Sequence, residues 1–348
     1  MVDPPPRALR LRLDGQALAD NWRALDRLSG AAGAGAAVKA DAYGLGIANV
    51  VPALRDAGCG TFFVAHWSEV ADLLGHVAAD RVVVLHGPLH ADDAAYARAT
   101  GVRPAINSLD QARRWLDAGG GPCDLMLDTG INRLGLAPAQ IGDPLVARLE
   151  VDTLMSHLAS ADEDSPQNEA QRRLFDDLAR HVRHRRRSLA NSAGIALGAG
   201  YAYDMTRPGL SLYGGVPRAE LAGEIRQVAF PQAAVIQLRD LSPGDSVGYN
   251  ATFTAGRPMR AATVSLGYAD GFLRCWSGSG ALRFGEAELP LLGRVSMDMV
   301  VVDCGAAPDL REGDWLDIPY HLPTASAQSG LSQYELLTVL GGRFFRDG

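Results

Sequence analysis

Short apolar runs recur along the first two thirds of the chain, and most are followed by an amphipathic stretch. In LDQARRWLDAG, for example, the apolar residues recur at helical spacing: Leu109, Ala112, Trp115 and Leu116. Strands that alternate with helices predict a parallel sheet, and eight of them predict a (β/α)8 TIM-like barrel. The eight runs are AAVKA (36–40), TFFVAH (61–66), RVVVLH (81–86), VRPAIN (102–107), DLMLD (124–128), VDTLMSH (151–157), SLAN (188–191) and MTRPGLSLYG (205–214).

The pattern changes after about residue 225. Runs such as AAVIQL and MVVVDCG are separated by turn signals such as SPGD at 242–245, and no helical pattern returns until LSQYELLTVLG at 331–341. This pattern predicts a mostly antiparallel β domain that ends in one helix. We therefore place the barrel domain at 12–224 and the β domain at 225–348, and we expect residues 1–11 to pack with the β domain.

Composition excludes several classes of protein. The 348 residues carry a net charge of −7, which argues against nucleic acid as a partner. The one basic run, Arg183 to Arg187, follows a polar helical stretch and is interpreted as a solvated helix end. Four scattered cysteines predict neither a disulfide nor a metal site. No apolar run suits a signal peptide or a membrane span, so we expect a cytoplasmic protein.

One basic residue differs from all the other basic residues of the chain. Of 33 basic side chains, 32 are arginine and one is lysine, Lys39. Arginine cannot deprotonate in a protein, whereas a lysine amine can do so and attack a carbonyl. The single lysine is therefore a candidate for covalent chemistry.

The candidate residues fall where a barrel places its active site, at the carboxyl ends of the strands. They are Lys39, Asp128, Arg133, His157, Asn191, Ser192, Gly194, Arg207 and Gly209. The loops after the seventh and eighth runs read NSAG and RPG, and their backbone N–H groups suit a phosphate. An amine opposite a phosphate site fits a pyridoxal-phosphate enzyme, but a Schiff-base aldolase needs the same two features. The residues alone leave both open.

Several motifs together resemble one family, the alanine racemases, and the match covers nearly the whole chain. VKADAYGLG at 38–46 resembles the family's cofactor-lysine motif. DTGINRLG, SHLASAD, NSAG and RPGLSLYG follow in the family's order, and so do VGYNATF, SLGYADG, GRVSMD and QYELL in the β domain. The resemblance implies an isomerase that interconverts L-alanine and D-alanine, with pyridoxal 5'-phosphate bound to Lys39 as a Schiff base.

The resemblance also implies a role for each matching residue. Lys39 and Tyr249 would be the two catalytic bases. The cofactor would be bound by Lys39, Tyr43, His157, Ser192, Arg207, Gly209, Leu210 and Tyr334. Arg207 would contact the pyridine nitrogen, and the phosphate would be surrounded by Tyr43, Ser192, Gly209, Leu210 and Tyr334. Arg133 and the backbone of Met297 would hold the substrate carboxylate, and Tyr268 with Tyr334 would narrow the entrance. In the family, Tyr249, Tyr268 and Met297 act on the partner subunit's barrel, which implies a homodimer with shared sites.

Racemisation removes the α-proton from one face and returns a proton to the other, so it needs two bases. An amine and a phenol serve only if their pKa values fall well below about 10. We expect Arg207 and a protonated His157 to favour the phenolate of Tyr249. Many family members carry a carbamylated lysine where this chain has Met126, so chloride or a side chain such as Asn132 is expected to orient Arg133 instead.

Other activities stay open at this stage. A racemase of the same fold that acts on serine or on a wider set of amino acids is the main alternative. A pyridoxal-phosphate-binding protein without catalysis would need neither Tyr249 nor residues 225–348, and a decarboxylase of similar architecture is more distant. The sequence does not distinguish D-alanine supply for peptidoglycan precursors from D-alanine breakdown.

Overall fold

The structure is a computed structural model that describes residues 7–347. Residues 1–6 and Gly348, which the predicted domain limits include, lie outside this range. The chain divides into two compact units. The first, the barrel unit, is Gln16–Arg226, and the second, the β unit, combines the N-terminal segment through Gly15 with the residues from Gln227 onward. Strand β1 (Leu9–Leu13) belongs to the β unit.

The barrel unit is built on parallel strands. They are β2 Gly33–Ala34, β3 Ala36–Ala37, β4 Phe62–Val64, β5 Val82–Val84, β6 Arg103–Ile106, β7 Pro122–Met126, β8 Glu150–Met155, β9 His184–Ser188 and β10 Met205–Thr206. β3 to β9 pair in sequence order, and β10 pairs in parallel with β2. On the other side of β10, the Arg207 N–H donates to the Ala190 carbonyl at 2.8 Å. Because β2 and β3 form one interrupted strand, eight strand positions follow one another and the predicted (β/α)8 fold is confirmed.

Gly35, between β2 and β3, lies close against the next strand. A Cβ atom on Gly35 would lie 2.8 Å from the ring of Phe63 and 3.1 Å from the Thr61 carbonyl oxygen, so only glycine lets the first strand approach the second. Every side chain of β4 and β5 is fully buried, as expected for parallel strands covered on both faces.

Helices alternate with these strands. They are Gly15–Leu28, Ile47–Ala57, Val70–Leu74, Ala91–Thr100, Leu109–Asp117, Pro144–Ala147, Pro166–Ala179 and Ser192–Ala196. The helix Leu109–Asp117 begins where the Ser108 hydroxyl accepts the Gln111 N–H at 3.2 Å, and it buries Ala112 and Trp115. This burial matches the helical spacing in the sequence.

The basic run is the clearest error of the sequence interpretation. The preceding helix ends at Ala179, and His184–Ser188 is strand β9. Arg186 donates to the Asp152 carboxylate on β8 at 2.5 Å. Arg187 donates to Asp176 on the preceding helix at 3.1 Å. The half-buried carboxylates of Asp152 and Asp176 therefore form ion pairs with arginines that the charge pattern alone assigned to solvent.

The β unit is mostly antiparallel, as predicted. Its strands after β1 are β11 Ala229–Leu241, β12 Ser246–Val247, β13 Phe253–Thr254, β14 Met259–Val264, β15 Ala281–Phe284, β16 Ala287–Pro290, β17 Val300–Asp303, β18 Trp315–Asp317 and β19 Phe345–Asp347. The sheet runs β16-β15-β18-β11-β1-β19, and β14 joins β11 to β17. β1 pairs with the first half of the long strand β11, with Leu11 fully buried.

Two helices lie between β18 and β19, whereas the sequence pattern predicted one helix at the end of the domain. Gln333–Thr338 is the predicted helix, and Leu322–Ser329 precedes it. The sequence of the missed helix, LPTASAQS, is rich in small polar residues and buries only Leu322 and Ala325. Its apolar spacing is too sparse to show a helical period. Within residues 7–347, no helix is both long and apolar enough to cross a membrane.

Asp152 offers a test of the charged contacts beside β9. Burial alone would raise its pKa, but the hydrogen bond and charge of Arg186, together with Arg103, hold that pKa below the ordinary value. A lowered pKa stabilises the fold above the unfolded pKa of about 4, and this contribution is lost as pH falls through the folded value. We expect Asp152→Asn to lower the free energy of urea unfolding by about 1–3 kcal/mol at pH 7.

The difference from the parent protein should shrink as the pH falls below about 4. Asp56→Asn is the matched control, because its ion pair with Arg55 is exposed and should matter little. Equal losses from the two substitutions, or a loss from Asp152→Asn that does not depend on pH, would contradict this account.

Candidate active site

Lys39 stands at the carboxyl end of β3, immediately before an unusual turn. The next four residues, Ala40–Tyr43, have φ values between 52° and 56°, a left-handed conformation that costs non-glycine residues about 1–2 kcal/mol each. Gly44 closes the turn by donating its N–H to the Ala40 carbonyl at 2.8 Å. The Asp41 carboxylate accepts the N–H of Ile47 at 2.8 Å. The lysine is therefore presented by a strained segment that specific hydrogen bonds hold in place.

The surroundings of Lys39 disfavour its charged form. Burial lowers the pKa of the amine, and the positive charges of Arg133 and Arg207 lower it further. Glu69 acts in the opposite direction. The net effect is a lowered pKa, which increases the fraction of neutral amine, the nucleophilic and basic form, near neutral pH.

The loops after β9 and β10 meet around Ser192. Its hydroxyl oxygen accepts the N–H groups of Gly209 at 3.0 Å and of Ser211 at 3.2 Å. A Cβ atom on Gly209 would collide with the Tyr43 hydroxyl, so Tyr43, Ser192 and Gly209 converge on one spot. The buried Tyr43 ring packs on Tyr213 with centroids 4.8 Å apart. Leu210, the next predicted contact, is buried beside them.

Arg207 is a buried cation with fixed geometry. Its guanidinium donates to the Ser188 hydroxyl and to the Ser156 carbonyl, both at 2.5 Å. Burial lowers its pKa to about 10, with the charge of Asp124 opposing the shift. The side chain therefore stays protonated at neutral pH and is rigidly oriented.

His157 does not carry the charge that the sequence analysis assigned to it. Part of the residue is accessible, but close packing around the ring disfavours the imidazolium. Burial, followed by the charges of Arg207, Arg133 and Lys39, lowers its pKa to about 3. His157 is therefore neutral at physiological pH, and the prediction of a protonated His157 is wrong. The physical reason is first the burial of the ring and then the three cations near it.

Arg133 lies on a loop that is anchored at its start. The Asp128 carboxylate accepts the N–H groups of Gly130, Ile131 and Asn132, at 2.9 Å, 3.1 Å and 3.1 Å. The Arg133 side chain itself is exposed. Met126 is buried and lies 3.1 Å from the position that a Cβ on Gly135 would occupy. An apolar side chain thus fills the position where many family members carry the carbamylated lysine.

The β unit holds the remaining predicted residues. The Tyr268 N–H donates to the Ser296 carbonyl at 3.0 Å, and the Met297 carbonyl accepts the Ala269 N–H at 3.0 Å, so Tyr268 and Met297 are brought together. The Arg274 guanidinium lies over the Tyr268 ring, 5.3 Å from the ring centroid. Three of these residues are exposed on the surface of this unit. The exposed fraction is 68% for Tyr249, 53% for Met297 and 41% for Tyr334.

The barrel unit fits the cofactor that the resemblance implies. The hydroxyl of Ser211 is buried and has no hydrogen-bond partner among the described residues, and it adjoins the convergent point of Tyr43, Ser192 and Gly209. A phosphate placed there would receive hydroxyl donors, and Lys39 supplies the amine that an aldehyde cofactor needs.

Sequence reasoning missed two residues, Ser211 and Glu69. Ser211 lies within the quoted motif RPGLSLYG, but only the fold shows that its hydroxyl is buried. Glu69 lies three residues beyond the end of the run TFFVAH, the usual position of an acidic residue that caps a helix start. That spacing is a signal that a search for capping residues could have used.

Known proteins match this chain over nearly its whole length. The model of the alanine racemase N-terminal domain matches residues 13–217, and that of the C-terminal domain matches residues 228–347. An alanine racemase of Acidiphilium cryptum is 41% identical over 349 residues, which is 97% of each chain. One of Methylobacterium nodulans is also 41% identical, over 97% of this chain and 95% of its own.

Solved structures that are similar to this chain belong to the same family. Alanine racemase from Bartonella henselae with covalently bound pyridoxal phosphate has a TM-score of 0.91 at 32% identity, and 98% of this chain and 99% of that one are covered. Biosynthetic alanine racemase from Pseudomonas aeruginosa has a TM-score of 0.88 at 36% identity, with the same coverage. With both domain models matched in order and the fold shared throughout, the chain belongs to the alanine racemase family.

Proposed function

We propose that the protein interconverts L-alanine and D-alanine with Lys39 and Tyr249 as the two bases. As a member of its family, the chain is an isomerase that depends on pyridoxal phosphate. The observation that carries the assignment of roles is the position of the only lysine, at a strand end beside two arginines. No other ε-amine exists in the chain to hold the cofactor.

Lys39 and Arg207 have complementary tasks in this proposal. When bound, the cofactor withdraws electrons from the substrate and so weakens its Cα–H bond. Lys39, with its lowered pKa, accepts or returns the proton on one face of the substrate. Arg207 stays charged and has no acceptor, so it discourages protonation of a ring nitrogen placed against it. A less electron-poor ring gives side reactions such as transamination less opportunity.

Tyr249 serves the opposite face, and we propose that it does so from the partner subunit of a homodimer. In the single chain, 68% of the surface of Tyr249 is exposed to solvent, and a second chain would enclose it. Tyr249 and Met297 are large, exposed and belong to the same set of predicted site residues, which supports burial against a second chain. Tyr268 and Tyr334 would narrow the entrance. Because His157 is neutral, the positive charge beside the cofactor would come from the arginines.

Arg133 binds the substrate carboxylate together with the Met297 backbone in this proposal. An arginine that binds a carboxylate through both nitrogens needs its planar group held at a fixed angle. Met126 cannot supply a carbamate, and we propose chloride, or else Asn132, as the group that orients Arg133.

We place this activity in the cytoplasm and in the supply of D-alanine for peptidoglycan precursors. Cys59, Cys123 and Cys304 are unpaired and inaccessible to solvent, as is common in a reducing compartment. The similar Pseudomonas aeruginosa protein is described as biosynthetic, which favours supply over breakdown.

Borohydride reduction of the purified yellow protein should fix the cofactor on Lys39. Lys39→Arg should lower kcat by roughly a thousandfold or more, although it keeps the positive charge, because guanidinium does not form the bond to the cofactor. Peptide mapping by mass spectrometry locates the adduct, and circular dichroism checks that the variant is folded. An adduct on any other residue, or an active Lys39→Arg protein, would refute the assignment.

Mixing two inactive variants should restore activity if the site is shared between subunits. In an exchanged mixture of Lys39→Ala and Tyr249→Phe chains, about half of the dimers are heterodimers with one intact site of two, so about a quarter of the parent activity should return. Mass spectrometry of tagged chains confirms the exchange. Complete exchange without any recovered activity would contradict the shared site.

Racemisation should not depend on bicarbonate, because no lysine is available for carbamylation at the Met126 position. Depletion of halide should raise the KM for alanine by roughly three- to tenfold and change kcat less, since the contact serves ground state and transition state alike. Initial rates in halide-free, bicarbonate-free and supplemented buffers measure both effects. Activation by bicarbonate would overturn the carbamate-free account, and halide-independent kinetics would exclude chloride.

A further inference from the structure

Glu69 connects two loops at the mouth of the barrel unit. One oxygen of its carboxylate, Oε2, accepts the N–H groups of Ala65 and His66, both at 2.8 Å, in the loop after β4. The other oxygen, Oε1, accepts the N–H of Ala40 at 2.5 Å in the loop after β3. Ala40 follows Lys39 directly and is the first residue of the left-handed turn. Both oxygens of Glu69 are therefore used, and one of them holds the lysine loop.

A second acidic residue in the barrel unit, Asp93, makes only one of the two kinds of contact that Glu69 makes. In the loop after β5, the Asp93 carboxylate accepts the N–H groups of Leu89 at 2.8 Å and of His90 at 2.9 Å. These bonds repeat the local ones that Glu69 makes with Ala65 and His66. Aspartate is therefore long enough for the local cap. The additional methylene of Glu69 is what allows its second oxygen to reach the neighbouring loop.

The bond to Ala40 falls where the backbone most needs support. Four consecutive non-glycine residues in the left-handed region favour relaxation to a right-handed turn, which would redirect the residue before them. A hydrogen bond to a charged carboxylate is stronger than a neutral one, so Glu69 is well suited to oppose that relaxation. Asp41 supports the far end of the turn through Ile47, and Glu69 supports the near end.

Glu69 also faces the charges around the lysine amine. Arg133 and Arg207 act on Lys39 as cations, and His86, whose pKa is lowered first by burial, also feels the charge of Lys39. Glu69 is the group that favours the protonated amine against burial and these cations.

We propose that Glu69 is a positioning residue that locks the left-handed turn and thereby holds Lys39 where it binds the cofactor. The inference rests on the proposed function of Lys39 and adds a residue that acts through it. Glu69 touches neither substrate nor cofactor in this account. Its contribution lies in the hydrogen bond from the Ala40 N–H. A shorter side chain can lose this bond and still keep the hydrogen bonds from Ala65 and His66.

The test measures how fast holoenzyme loses its cofactor to excess semicarbazide, followed by absorbance. Glu69→Asp retains the charge and, as Asp93 shows, a side chain able to cap the local loop, but it is too short to bridge. We expect Glu69→Asp to lose cofactor on the order of tenfold faster than the parent. Glu69→Gln, which cannot accept with both ends, should do the same. Asp93→Asn is the matched control and should stay within about twofold, because its cap does not reach the lysine loop.

A double variant distinguishes support of the turn from general loosening. Glycine adopts left-handed backbone without strain, so Ala40→Gly combined with Glu69→Asp should slow the loss of cofactor relative to Glu69→Asp alone. Thermal unfolding of all variants shows whether stability tracks the rates. Rates for Glu69→Asp and Glu69→Gln that match Asp93→Asn, or the absence of rescue by Ala40→Gly, would overturn the proposal.

Failure of this proposal is distinguishable from failure of the proposed function. Borohydride trapping in the parent protein reports whether Lys39 binds the cofactor at all. An adduct on Lys39 with unchanged release rates rejects only the role of Glu69. A missing adduct rejects the role of Lys39 itself, whatever the rates are.

Discussion

A left-handed turn of four residues directly behind Lys39 is the constraint on which the site depends. Such a turn is costly for alanine, aspartate and tyrosine, so it persists only where its surroundings hold it. Three kinds of bond do so: the backbone closure at Gly44, the Asp41 carboxylate, and the Glu69 carboxylate from the next loop. The turn also places Tyr43 against Gly209, so the same strained segment positions both the amine and one wall of the proposed phosphate site.

Positive charge dominates the mouth of the barrel. Arg133 and Arg207 lower the pKa of the buried Lys39 there, and burial together with these three cations keeps His157 neutral. A site of this kind is incomplete without anions, and a phosphate and an amino-acid carboxylate are both anionic. Arg207 is fixed by uncharged oxygens of Ser188 and Ser156, which leaves its full charge to act on the site. The electrostatics of the unit therefore match the chemistry of its family.

Periodic burial made the barrel predictable, whereas charge patterns misled. Runs such as TFFVAH and RVVVLH became β4 and β5 because parallel strands are apolar on both faces. Strand β9 was predicted four residues too far along the chain, at SLAN (188–191), because its arginines are matched by Asp152 and Asp176, which are distant in sequence. The helix Leu322–Ser329 was missed because small polar residues carry no periodic signal.

In the candidate site, too, some features could be predicted from the sequence and others could not. Motifs identified residue types such as Lys39 and Ser192, but pKa values are set by burial and by neighbouring charges that only the fold reveals. The neutral state of His157 and the reach of Glu69 are both consequences of this kind.

The solitary lysine has a consequence for the chemistry of the whole surface. Apart from its α-amino group, the chain offers a single primary amine, and that amine is partly buried at the barrel mouth. Acylating, crosslinking and carbamylating reagents aimed at lysine therefore find no target on the rest of the molecule. With the cofactor bound to Lys39 as proposed, that one amine is occupied, so its reactivity reports the fraction of sites without cofactor. The arginine-rich composition thus leaves an amine reagent only one side-chain target in the whole chain.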